Sequence, residues 1–197
     1  MGGIMKEEFA LVQRMRGVQT LLASADVDKV VTTANMKNGA YTIAAQPGVP
    51  SRISVSQTAG DTADTPGIVT VVGTNDLDQD ISEVITPEAG TVVYGELYFK
   101  TVTSATGSGW AIDEAEATND TITIGVSVDS EIILRGRSIT LINVSGNFHI
   151  NPLALPVADA TSLKLSAGQS IDLCVRDTLR LISDGSAATF QFIVWEG

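Results

Sequence analysis

The sequence predicts an all-β protein, built from antiparallel β-sandwich or barrel units with a short N-terminal helix or arm. From Tyr41 onward, apolar and β-branched residues alternate with polar ones in short runs, which Gly, Asn, Asp and Pro separate. These runs recur at intervals of roughly 8–12 residues, a spacing typical of a sandwich or barrel. No segment between them is long enough for a helix that would connect two parallel strands.

The N-terminal segment follows a different pattern. Apolar residues between Met5 and Leu22 recur at spacings of three and four, as one face of an amphipathic helix requires. Gly17 lies inside this pattern and weakens the helix. Because no other helix is predicted, two interpretations stay open: a helix that packs on its own domain, or an arm that docks on a neighbouring subunit.

Two later runs show the strand alternation most clearly. In "DTITIGVSV" every second residue from Ile122 to Val128 is apolar, and in "SIDLCVR" Ile171, Leu173 and Val175 alternate with polar residues. Each pattern predicts a half-buried antiparallel strand, with one face on a core and one in water. The other predicted strands are 41–45, 51–56, 68–73, 81–86, 91–94, 96–103, 131–134, 137–144, 178–183 and 188–195.

The formal net charge of −11 is unevenly distributed along the chain. Residues 1–52 carry a net charge of +2, residues 53–134 of −13, and residues 135–197 of 0. An acidic block is usually a solvated surface, whereas the nearly neutral flanks are freer to pack on another protein. The predicted units are an N-terminal helix or arm over 1–40, an acidic β-domain over 41–130 and a C-terminal β-domain over 131–197.

Composition argues against several classes of protein. Cys174 is the single cysteine, so the chain cannot form an intramolecular disulfide. No stretch approaches the roughly 18 apolar residues of a membrane span, and the excess of acids disfavours a general nucleic-acid binder. We therefore expect synthesis in the cytoplasm, and neither a membrane nor a nucleic acid as partner.

The densest group of chemical side chains lies in "VVGTNDLDQDISEVIT", residues 71–86. A calcium loop of the EF-hand type needs Gly at its sixth position and Glu at its twelfth, but counting from Asp76 these are Ile81 and Pro87. Catalytic carboxylates would need burial, whereas Asn and Asp in a turn bond local backbone N–H groups. The segment therefore predicts a hairpin with an acidic, solvent-exposed tip, and only weak calcium binding over Asp76–Glu83 stays open.

Other catalytic and cofactor sites lack the necessary residues. The single histidine, His149, lies in a loop with two prolines (147–162), without a G-x-S-x-G nucleophile signature nearby. Zinc ligands and glycine-rich phosphate loops are also missing. We therefore expect no enzymatic activity, no metal and no cofactor.

The sequence resembles virion structural proteins of tailed bacteriophages. Three segments carry the resemblance in order: "VTVVGTNDLDQDISEVIT", "YFKTVTSAT" and "NDTITIGVS". The C-terminal "LKLSAGQSIDLCVRDTLRLISDGSAATFQFIVWEG" is similar to the small β-domains that close many such proteins. The hairpin tip departs from the pattern, because "NDLDQD" replaces the usual glycine-containing turn.

The resemblance implies a non-enzymatic virion protein, foremost a capsid decoration or cement protein that binds the major capsid protein or other virion proteins and copies of itself. A neck, tail or fibre component is an alternative, as is a carbohydrate- or receptor-binding β-sandwich in which Tyr94, Trp110 and Trp195 stack on sugars. Apolar residues of the N-terminal segment, the proline-containing loop and the last strand are the candidate interface residues. They are Phe9, Val12, Met15, Leu22, Leu153, Leu155 and Trp195.

We predict that the acidic hairpin binds no calcium ion. The melting temperature of the purified protein, measured with added calcium and again with a chelator, is expected to be the same. A shift of several degrees would show specific binding, because a ligand that binds only the folded state raises its stability.

Overall fold

The computed structural model describes residues 12–58, 65–111, 120–151 and 162–196, of which 12–17 and 196 are described for the backbone only. Within these ranges the chain is all-β, as the sequence predicts, and no helix there is long and apolar enough to cross a membrane. The strands are β1 (Val12–Leu21), β2 (Asp26–Asn35), β3 (Gly39–Ala40), β4 (Ser51–Thr58), β5 (Ile68–Thr74), β6 (Asp80–Ile85), β7 (Val92–Phe99), β8 (Thr101–Ser108), β9 (Thr121–Ile133), β10 (Ser138–Ser145), β11 (Phe148–Asn151), β12 (Leu163–Leu165), β13 (Ser170–Cys174), β14 (Thr178–Ser183) and β15 (Ala188–Glu196).

The strands form three antiparallel sheets. The central sheet has the order β12-β11-β14-β9-β4-β7, with β2 also paired to β9. A second sheet has the order β3-β8-β5-β6, and a third has the order β1-β15-β10-β13. Among the described strands, β5–β6 and β11–β12 are pairs of consecutive strands, and the other pairs join strands that lie far apart in the chain.

Two apolar cores separate the sheets and give a sandwich-like arrangement. The first core contains Ile53 and Val126 of the central sheet together with Val71 of the sheet that includes β5. The second contains Leu181 of the central sheet together with Phe190 of the sheet that includes β15. The central sheet therefore serves both cores, each of which buries the apolar faces of two sheets.

Strand β9 links the two cores. Its first half contributes Ile122, Ile124 and Val126 to the first core, and Ile132 lies in the second core. The segments 120–128 and 131–134, which the sequence suggests as separate strands, belong to one continuous strand of 13 residues. Strand β9 therefore belongs to both sandwiches. The boundary predicted between an acidic domain and a C-terminal domain stays a prediction.

The predicted N-terminal helix is wrong for residues 12–21, which form strand β1; residues 1–11 lie outside the described residues. A short isolated helix is marginally stable, whereas β1 satisfies its backbone groups by pairing with β15. The register shifts by one residue between Met15 and Val18, so Gly17 lies at a β-bulge. The same glycine that weakens the helical pattern suits this bulge.

Several strand boundaries also differ from the prediction. Residues 41–45 form no strand, and β2, which the sequence did not indicate, precedes them. The break between β7 and β8 falls at Lys100 rather than at Gly95. Within the proline-containing loop, residues 148–151 form β11, and residues 152–161 lie outside the described residues.

Gly125 allows β2 to lie against β9. A Cβ atom at this position would lie 2.1 Å from the carbonyl oxygen of Asp26 and 2.3 Å from the carbonyl carbon of Val27. These are backbone atoms, so they could move away only if β2 itself moved. Val30 and Val31 of β2 are both buried in the first core. The close approach of β2 to β9 therefore places these two side chains in the core.

Substitution of Gly125 by alanine is expected to lower the free energy of unfolding by about 1–3 kcal/mol, since overpacking of a tight contact costs this much. Denaturation in urea measures the change. Thr33→Ala, on the exposed face of β2, is the matched control and should change stability by no more than about 0.5 kcal/mol. Equal stability of Gly125→Ala and the parent protein would contradict the close approach of the two strands.

Candidate functional site

A cluster of charged and aromatic side chains lies on four adjacent strands of the central sheet. Asp129 of β9 is buried, with 5% of its side chain exposed. Arg52 of β4 donates from Nε to Oδ2 and from Nη2 to Oδ1 of this carboxylate, each over 3.0 Å. Tyr98 of β7 donates its hydroxyl hydrogen bond to Oδ2. This geometry is the bidentate pairing that a planar guanidinium and a carboxylate favour.

The environment of Asp129 changes the pKa of each member of the cluster. Burial alone would raise the pKa of Asp129, but hydrogen bonds from Arg52 and Tyr98 outweigh it and hold the pKa below the ordinary aspartate range. Burial and the neighbouring carboxylate raise the pKa of Tyr98, so its hydroxyl keeps its proton. The carboxylate is therefore ionised and its two partners are donors over the whole physiological pH range.

A second ion pair lies beside the first. Arg180 of β14 donates from Nε to Oε2 of Glu131 over 3.1 Å, and these two residues are opposite each other in the β14–β9 register. Burial raises the pKa of Glu131 despite this bond. The Arg180 guanidinium carbon lies 5.6 Å from the centre of the Tyr98 ring, within cation–π distance, so Tyr98 contacts both pairs.

A groove with a volume of about 440 Å³ opens above this cluster. Its lining residues are Arg52, Glu96, Leu97, Tyr98 and Arg180. Leu97 is 39% exposed, so an apolar surface borders the two guanidinium groups. Leu97 is the apolar member of this lining and the other four side chains are polar or charged, so the groove is more polar than most small-ligand sites.

The acidic segment 71–86 is a hairpin, as predicted. Strands β5 and β6 pair from Val69 with Ile85 to Thr74 with Asp80. The Asn75 side-chain oxygen accepts hydrogen bonds from the backbone N–H groups of residues 77 and 79, over 2.9 and 3.1 Å. The turn is thus closed by an asparagine side chain, which is the local role that the sequence suggested.

The prediction that the whole hairpin tip is solvent-exposed is wrong for Asp76, which is 6% exposed. Its Oδ2 accepts a hydrogen bond from the backbone N–H of Ile133 over 3.2 Å, and Arg135 donates to the Gln79 side chain over 2.9 Å. Asp78 and Asp80 are exposed. The tip of the hairpin therefore packs against the end of β9. There the buried Asp76 carboxylate has the hydrogen-bond partner that a buried polar group needs.

Glu83, the last acid of the segment, bonds to the edge of the central sheet. Its carboxylate accepts hydrogen bonds from the backbone N–H groups of Glu96 and Leu97, over 2.5 and 3.3 Å. A Cβ atom at Gly95 would lie 2.3 Å from Glu83 Oε2, so glycine leaves the space for this contact. In the described ranges, no group of three or more His, Cys, Asp or Glu side chains is placed to bind a metal.

The remaining candidate residues are scattered. His149 is buried in β11, with Nε2 3.9 Å from Asp184. Trp110 is buried in the first core, and Trp195 is half-buried with its indole N–H donated to Thr140 over 2.9 Å. Tyr94 is 38% exposed. These aromatic side chains form no common stacking surface, because Trp110 belongs to the core.

The predicted interface residues are only partly described. Leu22 packs against the first core, and Trp195 lies in β15. Val12 and Met15 lie in β1, where only the backbone is described; Phe9, Leu153 and Leu155 lie outside the described residues. The structure therefore does not bring these residues together into one surface, and their role in an interface stays a prediction.

Sequence reasoning missed the cluster around Asp129. Arg52 and Asp129 are 77 residues apart in the sequence, and Arg180 and Glu131 are 49 residues apart. The one local signal is that polar Asp129 follows the apolar alternation of 122–128 without a turn residue between them. Such a residue inside a continuous strand indicates a buried polar group that needs a partner.

Asp129→Asn is expected to lower the free energy of unfolding at neutral pH by about 3 kcal/mol, because it breaks a buried ion pair. The folded-state pKa of Asp129 is lowered, so its stabilisation is complete above the ordinary aspartate range, near pH 4, and is lost as pH falls through the folded-state value. The difference between the two proteins should therefore narrow on acidification. Denaturant unfolding at a series of pH values measures it.

Asp172→Asn is the matched control, since Asp172 is exposed and accepts a hydrogen bond from Thr140 at the surface. Its effect should stay within about 1 kcal/mol at every pH. A difference between Asp129→Asn and the parent protein that is small, or constant with pH, would show that the buried carboxylate does not stabilise the fold.

Comparison with known proteins adds two distant structural similarities. No protein-family model and no curated protein matches the sequence. The solved structure of cAMP-bound PfPKA-R is 9% identical, with a TM-score of 0.21, and the match covers 81% of this chain and 69% of that one. The formate complex of Lactobacillus farciminis oxalate decarboxylase is 9% identical, with a TM-score of 0.23 and coverage of 82% and 75%. At these TM-scores neither similarity bears on the function of this chain.

Proposed function

We propose that the chain is a non-enzymatic structural protein of a tailed-phage virion, which decorates and stabilises the capsid by binding the capsid lattice and copies of itself. The sequence resemblance to phage virion proteins supports this proposal. The all-β fold is compatible with it but is shared by proteins of many functions. The proposal needs a surface through which subunits associate.

The observation that carries the proposal is the outer edge of β1. This strand of 10 residues pairs with β15 on one side, and within the described ranges no strand pairs with its other side. An edge strand presents unpaired N–H and C=O groups that can bind a strand of another chain. Val18 lies in this edge strand and is 58% exposed.

We infer that a second copy of the chain occupies this edge. The N-terminal 52 residues have a net charge of only +2, and the C-terminal 63 residues are neutral, so two copies that meet here repel each other little. Antiparallel pairing of two identical edge strands also gives a closed twofold contact. Capsid proteins would then bind other surfaces of the assembled subunits.

A neck, tail or fibre component is the alternative within the same class, distinguished by twelvefold, sixfold or threefold assembly. A carbohydrate-binding module is favoured less, because burial of Trp110 removes one of the three aromatic side chains that could stack on a sugar. Imaging of virions with the protein labelled would locate it on the head or on the tail. A stable monomer without affinity for any virion part would contradict both structural proposals.

Val18→Lys is expected to abolish self-association, because lysine on an edge strand disfavours pairing with another chain. The mass in solution, measured by light scattering, should fall to that of the monomer. Val144→Lys is the matched control: this residue is 50% exposed in β10, an inner strand of the same sheet, and its substitution should leave the assembly unchanged. Equal masses for the two variants would rule out the β1 edge as the contact.

A further inference from the structure

The groove above Asp129 contains hydrogen-bond donors that the protein itself does not use. A guanidinium has five N–H groups. Arg180 uses its Nε on Glu131, and Arg52 uses Nε and Nη2 on Asp129. Within the described ranges, neither Nη atom of Arg180 nor Nη1 of Arg52 has a protein hydrogen-bond partner, although both residues line the groove.

Both guanidinium groups are held in place. Each has a carboxylate on one side, and each also lies near an aromatic ring: Arg52 is 5.3 Å from the centre of the Tyr94 ring and Arg180 is 5.6 Å from that of Tyr98. The side chain of Arg52 is 22% exposed and that of Arg180 is 33% exposed. Donors fixed in this way lose little side-chain entropy when they bind a ligand.

We propose that this groove binds an oxyanion, the carboxylate or phosphate group of a small ligand. Planar guanidinium groups match the two oxygens of such an anion, and the apolar side chain of Leu97 contacts the part of the ligand that carries it. A volume of about 440 Å³ accommodates a molecule of a few carbon atoms with its anionic group. The proposal stands whether or not the chain is a virion protein.

Glu96 sets the selectivity of the groove. It is exposed and lines the same cavity, so its carboxylate repels a second negative group on the ligand side of the arginines. Asp129 and Glu131 lie behind the arginines and neutralise their charge. The free donors therefore bind through directed hydrogen bonds more than through a general positive field.

Calorimetric titration of the purified protein with butyrate, which has one carboxylate and a short apolar chain, and separately with inorganic phosphate tests the proposal. Saturable binding of either probe is expected, and the stronger of the two identifies the anion. Leu97→Glu should weaken binding about tenfold or more without lowering the melting temperature, since it places a further carboxylate at the groove. Val144→Glu, the same charge change on another sheet, should leave binding unchanged.

Two further variants separate the arginine donors from a general charge effect. Arg180→Gln should abolish binding, whereas Glu96→Gln should strengthen it several-fold by removing repulsion. Arg180 also pairs with Glu131, so Arg180→Gln can fail to fold. In that case Leu97→Glu still tests the proposal. The proposal is overturned if neither probe saturates, if Leu97→Glu binds as the parent does, or if Glu96→Gln binds more weakly.

Discussion

The buried carboxylate of Asp129 is the constraint on which the arrangement of both sandwiches depends. It lies on β9 between Val126, in the first core, and Ile132, in the second. An ionised group at such a place is tolerated only if it is paired, so Arg52 and Tyr98 must approach it from β4 and β7. The same contacts hold β4, β7 and β9 in register at Asp129, where polar side chains follow the apolar ones along β9.

Three acidic side chains add polar links between strands whose apolar residues also pack in the first core. Asp76 fixes the tip of the β5–β6 hairpin to the end of β9, and Glu83 bonds the edge of the central sheet at β7. Asp129 joins β9 to β4 and β7. The net charge of −13 over residues 53–134 therefore overstates how anionic the surface of this region is.

Local pattern predicted those strands whose side chains alternate between core and water. β13 and the first half of β9 show this, and so does the hairpin, whose Asn75 needs only neighbouring N–H groups. The pattern failed for β2, where Val30 and Val31 are both buried because its register with β9 shifts twice. It failed for β1 because helical spacing and a bulged strand place apolar residues at similar intervals. The partners of Asp129 could not be found from the sequence, since tertiary pairing alone brings them together.

The free edge of β1 and the groove differ in which hydrogen-bonding groups they leave uncovered. At β7, another edge strand, Glu83 occupies two backbone N–H groups, which prevents another chain from pairing there. β1 has a bulge at Gly17 but no such side-chain cap among the described residues 18–21. In the groove, Asp129 and Glu131 orient the arginines and leave part of each guanidinium uncovered. Edge pairing depends on backbone groups and anion binding on side chains, so a substitution can remove one without the other.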